Sequence, residues 1–324
     1  MRESAEFFDI LIQAIRKETE AFNYYYDASD KSPSAESRSL LIQLAEEERK
    51  HRTILVQEYQ NLKKLLSGES KEDFLEKERI SFRIPEEPAF KRVQTLKEMD
   101  LAAVRMPTEF AGGDFFDTFI LRDEGKMGLL IFDVMGHGLE TTELKSAAAM
   151  RWGKLKELDL EKGAHSLLCS PSSVVTLLNG LLWDECQRLA SFLTLFYALV
   201  DLPKHRLIYA SAGHEPPLLS TKTGYRQLLE ADLIIGIDKE KTYAEESLEI
   251  QTGDVLILFT DGVVESLNPR DEEFGRKNLI RVVEESKDLN AAEIAKRVLA
   301  ALRDFVLGLP LTDEFTLAVA KIDY

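Results

Sequence analysis

Four aspartates in the last two-thirds of this 324-residue chain stand where an apolar run meets a turn. Asp114 follows Gly112-Gly113 and opens the run Phe115–Leu121. Asp133 ends Leu129–Phe132 and leads into Val134-Met135-Gly136-His137-Gly138. Asp261 ends Leu256–Thr260 and is followed by Gly262, and Asp313 precedes Glu314-Phe315-Thr316 and the last apolar run. A carboxylate at a strand terminus is held by a rigid element, and glycine beside it lets an ion, water or substrate approach the backbone. Several convergent carboxylates with no adjacent Arg or Lys would repel one another in a dry site. Divalent cations remove that cost, and an all-oxygen donor set favours Mg²⁺, Mn²⁺ or Ca²⁺ over zinc or copper. Spacing alone leaves a second reading open, in which each site is a turn and the four never meet.

The first 66 residues carry a different pattern. Phe7, Leu11, Ala14, Glu18, Ala21, Tyr25 and Ala28 step by four and three along one helical face, which Glu18 interrupts. Beyond the Lys31-Ser32-Pro33-Ser34 break, Leu41, Leu44, Glu48, His51, Leu55 and Leu62 trace a second face. There Glu48-Arg49-Lys50-His51 sets a carboxylate and an imidazole on one side. Such groups are paired, metal-bound or not truly buried, because burying them unpaired is costly. A lone two-helix hairpin cannot bury its apolar face, so Phe7, Leu11, Leu41, Leu44 and Leu55 are expected to need a partner surface. Two-fold pairing is the commonest solution among soluble oligomers.

The elements that must position these groups fall into three regions: a helical hairpin over 1–66, a charged, partly helical linker over 67–99, and a β-rich domain over 100–324. In the third region strands are expected near Leu101–Arg105, Phe115–Leu121, Met127–Phe132, Phe192–Asp201, Arg206–Ala212, Val255–Phe259 and Phe315–Ile322. Helices fit Leu139–Leu158, Ser172–Arg188, Lys277–Lys287 and Ala291–Phe305. Strands and helices come in runs rather than in strict alternation, which argues for an α+β fold with largely antiparallel sheets.

Composition narrows the function classes. Fifty-seven acidic against forty-one basic residues give a net charge of −16, a surface that would repel nucleic acid and anionic membranes. Nothing reads as a signal peptide or a membrane span, so a cytoplasmic protein is expected. Two cysteines, Cys169 and Cys186, are too few for a disulfide framework or a thiolate metal site.

Five segments occur in the order and rough spacing of a known family: Gly112-Gly113-Asp114-Phe115-Phe116-Asp117, Asp133-Val134-Met135-Gly136-His137-Gly138, Ala212-Gly213-His214-Glu215-Pro216-Pro217, Gly253-Asp254 with Thr260-Asp261-Gly262-Val263, and Asp313-Glu314-Phe315-Thr316. From about Asp100 to Ile322 the chain resembles the PPM-type metal-dependent protein phosphatases, in the bacterial branch typified by the stage II sporulation phosphatase. One departure is Glu314, where the family commonly has a second aspartate. The resemblance implies an αββα sandwich with two Mn²⁺ or Mg²⁺ ions between its sheets. Asp133 would bridge both ions and the Val134 carbonyl would be a further ligand. Asp261 and Asp313 would hold the first ion, and Asp114 would bind the second directly or through water. A water activated by the ions would attack the phosphorus of phosphoserine or phosphothreonine in line. His137 is a candidate general acid or a brace for its loop, whereas His214 is expected to shape a turn. An anti-sigma-factor antagonist is the phosphoprotein substrate the resemblance implies.

The hairpin resembles half of a ferritin-like, rubrerythrin-type bundle. Two chains would supply Glu18, Glu48 and His51 twice over, completing a four-helix bundle and a di-iron or similar site in a homodimer. A polar layer without metal is the alternative. Two other functions compete with the phosphatase: a non-catalytic binding module that keeps the fold, and a nucleotide cyclase suggested by Gly112-Gly113-Asp114-Phe115. The first would be favoured by a missing ligand aspartate, and none is missing. The second needs an acidic residue where Phe115 stands.

Overall fold

The structure, a computed structural model, describes residues 95–106, 112–136, 139–229, 232–307, 311 and 313–323. Within the first 62 residues it describes 7, 10–15, 17, 18, 21, 24, 25, 28, 29, 32, 34, 37, 38, 40, 41, 43–45, 47, 48, 50–52, 54, 55, 58 and 62.

Ten strands arise in chain order: β1 (Met99–Met106), β2 (Phe115–Leu121), β3 (Lys126–Val134), β4 (Leu193–Asp201), β5 (Arg206–Ala212), β6 (Leu218–Thr221), β7 (Gly224–Gln227), β8 (Glu246–Glu249), β9 (Val255–Phe259) and β10 (Phe315–Ile322). They form two antiparallel sheets, one ordered β1-β10-β9-β6-β7 and the other β2-β3-β4-β5-β8. The helices are α1 (Leu139–Asp159), α2 (Pro171–Leu189), α3 (Asp261–Val264), α4 (Gly275–Ser286) and α5 (Ala291–Val306).

Side chains alternate across each strand, and here both faces are covered. Met127, Leu129 and Ile131 of β3 point inward against Leu101, Ala103, Leu256, Leu258 and Ala318 of the facing sheet. Their neighbours Leu130 and Phe132 point outward onto Leu144, Trp152 and Leu178 of α1 and α2. On the other sheet Val104, Ile257, Leu317 and Val319 face Leu279, Val283, Ile294 and Val298 of α4 and α5. The result is the expected αββα sandwich, and its doubly covered strands explain the continuous apolar runs in the sequence. Each Val, Leu, Ile, Phe or Met side chain so buried contributes roughly 1.5–3 kcal/mol.

All the expected strands and the four expected helices are present, with ends shifted by a residue or two. Three short strands and one short helix were not expected. β6 and β7 are four residues each around Thr221-Lys222-Thr223-Gly224, and β8 is the acidic edge strand Glu246–Glu249. None has the length or alternation that marks a strand in sequence. The single turn α3 begins at Asp261 itself, directly after the Thr260 that follows β9.

The described residues between 7 and 29, and between 37 and 62, are helical. Their packing corrects the expectation that Leu11 and Leu55 await a second molecule. Leu11 and Ile15 are buried against Phe192, Ile234 and Ile237 of the sandwich, with Ile12, Leu55 and Leu62 packed around them. Ala45 and Tyr25 similarly meet Leu229. Part of the hairpin's apolar surface thus finds its cover within the same chain. Phe7, Ile10, Tyr24, Leu40 and Ile54 remain exposed. Nearly all of the linker expected over 67–99 lies outside the described residues.

Candidate active site

Antiparallel pairing brings Asp114 and Asp133 to one end of the sandwich. Phe115 faces Phe132 across the β2–β3 ladder, so the residues just beyond the pair, Asp114 and Asp133, leave the sheet together. Val134 N–H donates to the Gly113 carbonyl at 3.4 Å, tying the two segments. A β-carbon on Gly113 would lie 2.4 Å from both Asp133 Oδ1 and the Val134 carbonyl oxygen. Glycine is therefore a steric requirement at this position. The facing sheet brings the other acids, with Asp261 at the start of α3 and Asp313-Glu314 just ahead of β10.

These carboxylates sense one another. Burial, and then the charges of Asp114, Asp261, Asp313 and Glu314, push the Asp133 carboxyl well above its ordinary range. Asp114, 1% exposed, is raised by burial and by Glu314, against the lowering effect of a 2.7 Å hydrogen bond from the Thr260 hydroxyl. Asp313 is an exposed residue, yet desolvation of its carboxyl pushes it up to about 6, with Glu314 and Glu265 adding to the rise and the hydrogen bond from Glu314 N–H opposing it. Among the described residues, no three of these carboxylates offer ligand atoms that all lie within 4.8 Å of one another.

Glu314 takes part through the backbone. Its Oε1 accepts from Asp114 N–H at 2.7 Å and from Lys145 Nζ at 3.3 Å, and Arg105 Nε stands 3.8 Å away. Lys145 also donates to the Gly112 carbonyl. The expectation that no Lys or Arg accompanies the acids is corrected here, because α1 and β1 deliver both. Thr260 links the two sheets' contributions, since its Oγ1 donates to Asp114 and accepts from Thr316 N–H at 2.9 Å. The Thr260-Asp261 and Phe315-Thr316 pairs stood in the quoted segments, but nothing in the sequence distinguished these hydroxyls from strand-favouring threonines.

Other quoted residues have structural partners. Asp117 accepts from Trp152 Nε1 at 2.8 Å and from Lys156, both on α1. Asp254 caps a turn by accepting from Gln251 N–H at 2.8 Å. His214 is buried, and burial, with the Arg276 and Arg52 charges, lowers its pKa to about 3, so the ring is neutral. Its Nδ1 lies 2.9 Å from Thr194 Oγ1, and Thr194 faces Asp133 across the β3–β4 ladder. Glu215 accepts from Arg276 at 2.6 Å, which pins this turn to α4. Cys186 is fully buried with its thiol pushed up to about 12, unsuited to nucleophilic attack. His137 lies outside the described residues.

The hairpin brings together Glu18, Glu48 and His51, whose ligand-capable atoms all lie within 4.8 Å of one another. Among the described residues no other group of three does so. His51 Nδ1 is 2.9 Å from Glu48 Oε2 and 3.8 Å from Glu18 Oε2. Burial and the adjacent Glu48 raise the Glu18 carboxyl.

A rubrerythrin profile matches residues 9–102. The phosphoserine phosphatase RsbU of Bacillus subtilis is 30% identical over 247 residues, covering 75% of this chain and 66% of RsbU. The chain thus spans just under two-thirds of that relative's length. Among solved structures, the SiaA-PP2C domain of Pseudomonas aeruginosa superposes with a TM-score of 0.60 at 19% identity, over 69% of this chain and 86% of that domain. The PP2C phosphatase domain of Bacillus subtilis SpoIIE, with a fragment of its regulatory domain, gives 0.54 at 20% identity, over 74% and 72%. These two likenesses establish the PP2C-type fold. The profile described as Stage II sporulation protein E matches residues 123–323, well over half of the chain, and the chain belongs to that family.

Proposed function

We propose that the protein is a metal-dependent serine/threonine protein phosphatase whose catalytic unit is 100–324. The observation that carries this reading is the cradle made by Gly113, where the missing side chain leaves room beside Asp133 Oδ1 and the Val134 carbonyl. A cluster of mutually repelling carboxylates, buried at Asp114, half-buried at Asp133 and Asp261 and exposed at Asp313, with hard oxygen donors alone, fits Mn²⁺ or Mg²⁺. Asp133 would hold both ions, with the Val134 carbonyl as a further ligand; Asp261 and Asp313 would hold the first, and Asp114 the second directly or through water. When bound, the two ions supply an acidified water and neutralise charge on the transferring phosphoryl group. Thr260 orients the Asp114 carboxylate, and Glu314 fixes its backbone. Lys145 balances the charge that Glu314 adds.

RsbU, by its name a phosphoserine phosphatase, supports phosphoserine as the reacting group. We assign as substrate a phosphorylated regulatory protein of the anti-sigma-factor antagonist kind, acting in the cytoplasm. No helix among the described residues is long and apolar enough to cross a membrane. Release of phosphate from a phosphoserine protein or peptide should require Mn²⁺ or Mg²⁺ and cease with chelator. Full activity in chelator would sink the reading.

For the hairpin, 1–66, we propose a sensor that binds iron or a similar ion through Glu18, Glu48 and His51, with a second copy of the chain completing the ligand set. The rubrerythrin match and the close approach of the three side chains support it. The linker over 67–99 would join sensor to catalyst. Metal analysis of the purified full-length protein tests this assignment separately from the phosphatase assay.

A further inference from the structure

Arg52 is 6% exposed, although its neighbours Lys50, His51 and Ile54 on the second hairpin helix are open to solvent. Its guanidinium crosses to the sandwich, where Nη2 donates to the Gly213 carbonyl at 3.1 Å. Gly213 has a φ of +65°, and a β-carbon there would meet Ile234 at 2.5 Å and Arg52 Nη1 at 3.1 Å. Such a fit around a buried cation is costly to assemble unless the cation is hydrogen-bonded in place.

The contact reaches the proposed metal loop by two short routes. Gly213 precedes His214, whose Nδ1 meets Thr194 Oγ1 at 2.9 Å, and that hydroxyl donates to the Asp133 main-chain oxygen at 3.4 Å. On the other flank Met135 N–H donates to the Phe192 carbonyl at 2.9 Å, and the Phe192 ring packs on Leu11 and Ile15 of the hairpin. Both sides of Asp133-Val134 therefore rest on residues that the hairpin covers. By contrast, the Lys50–Glu273 pair at 2.6 Å is half exposed and touches neither route.

We infer that Arg52 is a positioning residue for the phosphatase site, through which the N-terminal helices hold the loop carrying Asp133 and Val134. The inference rests on the phosphatase reading and adds a direct path of control beside the linker. Arg52 follows His51 immediately, and Ile15 lies one helical turn before Glu18, so both docking residues adjoin the Glu18, Glu48 and His51 cluster. Any movement that draws those three side chains together acts on the same two helices.

The test uses full-length protein, p-nitrophenyl phosphate and a Mn²⁺ titration. Arg52→Ala should lower kcat about tenfold, the order expected when the loss of one charge-assisted hydrogen bond is passed on to the loop that carries Asp133. It should also raise the Mn²⁺ concentration for half-maximal rate and leave KM unchanged. Arg52→Lys, which keeps one donor and the charge, should recover part of the loss, and Lys50→Ala should match wild type. Arg52→Ala with wild-type kcat and Mn²⁺ dependence would overturn the inference. Should that variant fail to fold, Arg52→Lys at the wild-type level would overturn it equally. An inactive wild type would instead overturn the phosphatase reading. Positioning would then be read from the Mn²⁺-induced rise in Tm, smaller in Arg52→Lys if the inference holds and unchanged if it does not.

Discussion

Gly113 and Asp133 lie so close that a single β-carbon on the glycine would stand 2.4 Å from the aspartate's Oδ1. The same atom would also crowd the Val134 backbone, at 2.4 Å from its oxygen and 2.7 Å from its nitrogen. Gly113→Ala must therefore push the Asp133 carboxylate out of place. We expect roughly a hundredfold loss in kcat, the scale of an ångström-sized misplacement. Steady-state kinetics with saturating Mn²⁺, beside a circular-dichroism check of folding, test it. A folded variant of normal activity would show that the cradle is incidental.

Asp133→Asn separates function from stability. Burial and four neighbouring carboxylates raise the Asp133 carboxyl, so its ionised form costs the folded state free energy when no cation is present. The amide removes that cost while removing the ligand shared by both proposed ions. Phosphatase activity should fall by several orders of magnitude, while Tm in chelator should rise above that of wild type. A variant less stable than wild type in chelator would contradict the repulsion argument.

Lys145 and Glu314 form a pair at 3.3 Å with the carboxylate 2% exposed. Removing one partner of a buried pair costs about 3–5 kcal/mol where nothing else compensates the other, but here Arg105 Nε at 3.8 Å and the Asp114 N–H stay with Glu314. Lys145→Met should therefore lose about 1–3 kcal/mol of stability and weaken activity, since Glu314 also holds the Asp114 amide. Denaturant unfolding of the two proteins measures it, and a difference under about 1 kcal/mol would mean that water replaces the lysine.

Much of this was legible in the sequence, for identifiable reasons. Strands such as Leu129–Phe132 are covered on both faces and so stand out as apolar runs, and the glycines beside Asp114, Asp133 and Asp261 mark close approach. Lys145, Arg105 and Thr194 were not legible. Thr194 lies on a strand distant in sequence, and although Arg105 and Lys145 sit on the elements next to Asp114 and Asp133, only the sheet register and the seat of α1 bring all three to the site. β8, with its exposed acids, lacked the pattern of a strand because an edge strand needs cover on one side only. The hairpin's docking was misjudged for a related reason. Periodicity reveals that Leu11 faces something apolar, but it does not say whether that surface belongs to another molecule or to Phe192 and Ile234.

His214 should govern part of the pH dependence of stability. Burial lowers its folded pKa to about 3, with the Arg276 and Arg52 charges acting in the same direction, against about 6.5 in the unfolded chain. As pH falls below about 6.5 the unfolded chain takes up this proton and the folded chain does not. The contribution is thus complete above that pH and is lost progressively towards pH 3. His214→Gln cannot titrate, so its Tm should fall less than that of wild type between about pH 7.5 and 5 in Mn²⁺ buffer. Equal slopes for the two proteins would sink the assignment.

The hairpin's exposed face leads to the last prediction, that the protein is a homodimer with metal between its hairpins. Phe7, Ile10 and Tyr24 on the first helix are 47%, 59% and 70% exposed, and Leu40 and Ile54 on the second are 58% and 61%. Helical spacing sets Leu40 and Ile54 on the His51 side of the Glu18, Glu48 and His51 cluster, whose imidazole side chain is 57% exposed while those of Glu18 and Glu48 are 26% and 19% exposed. Leu11, Ile15 and Arg52 are occupied by the sandwich, so a partner would take the flank carrying Ile10, Tyr24, Leu40 and Ile54, reach the cluster from the His51 side and leave the docking contacts intact. A second copy related by a two-fold axis would cover the apolar residues and add two carboxylates and an imidazole to the incomplete set. Light scattering should give twice 36.8 kDa for wild type, and Ile10→Asp with Ile54→Asp should give a monomer that keeps Mn²⁺-dependent activity. Protein from iron-replete cells should carry iron that Glu48→Ala with His51→Ala abolishes, without loss of the Mn²⁺ response. A monomeric wild type would remove the dimer, and a dimer free of hairpin metal would keep the assembly and discard the sensor.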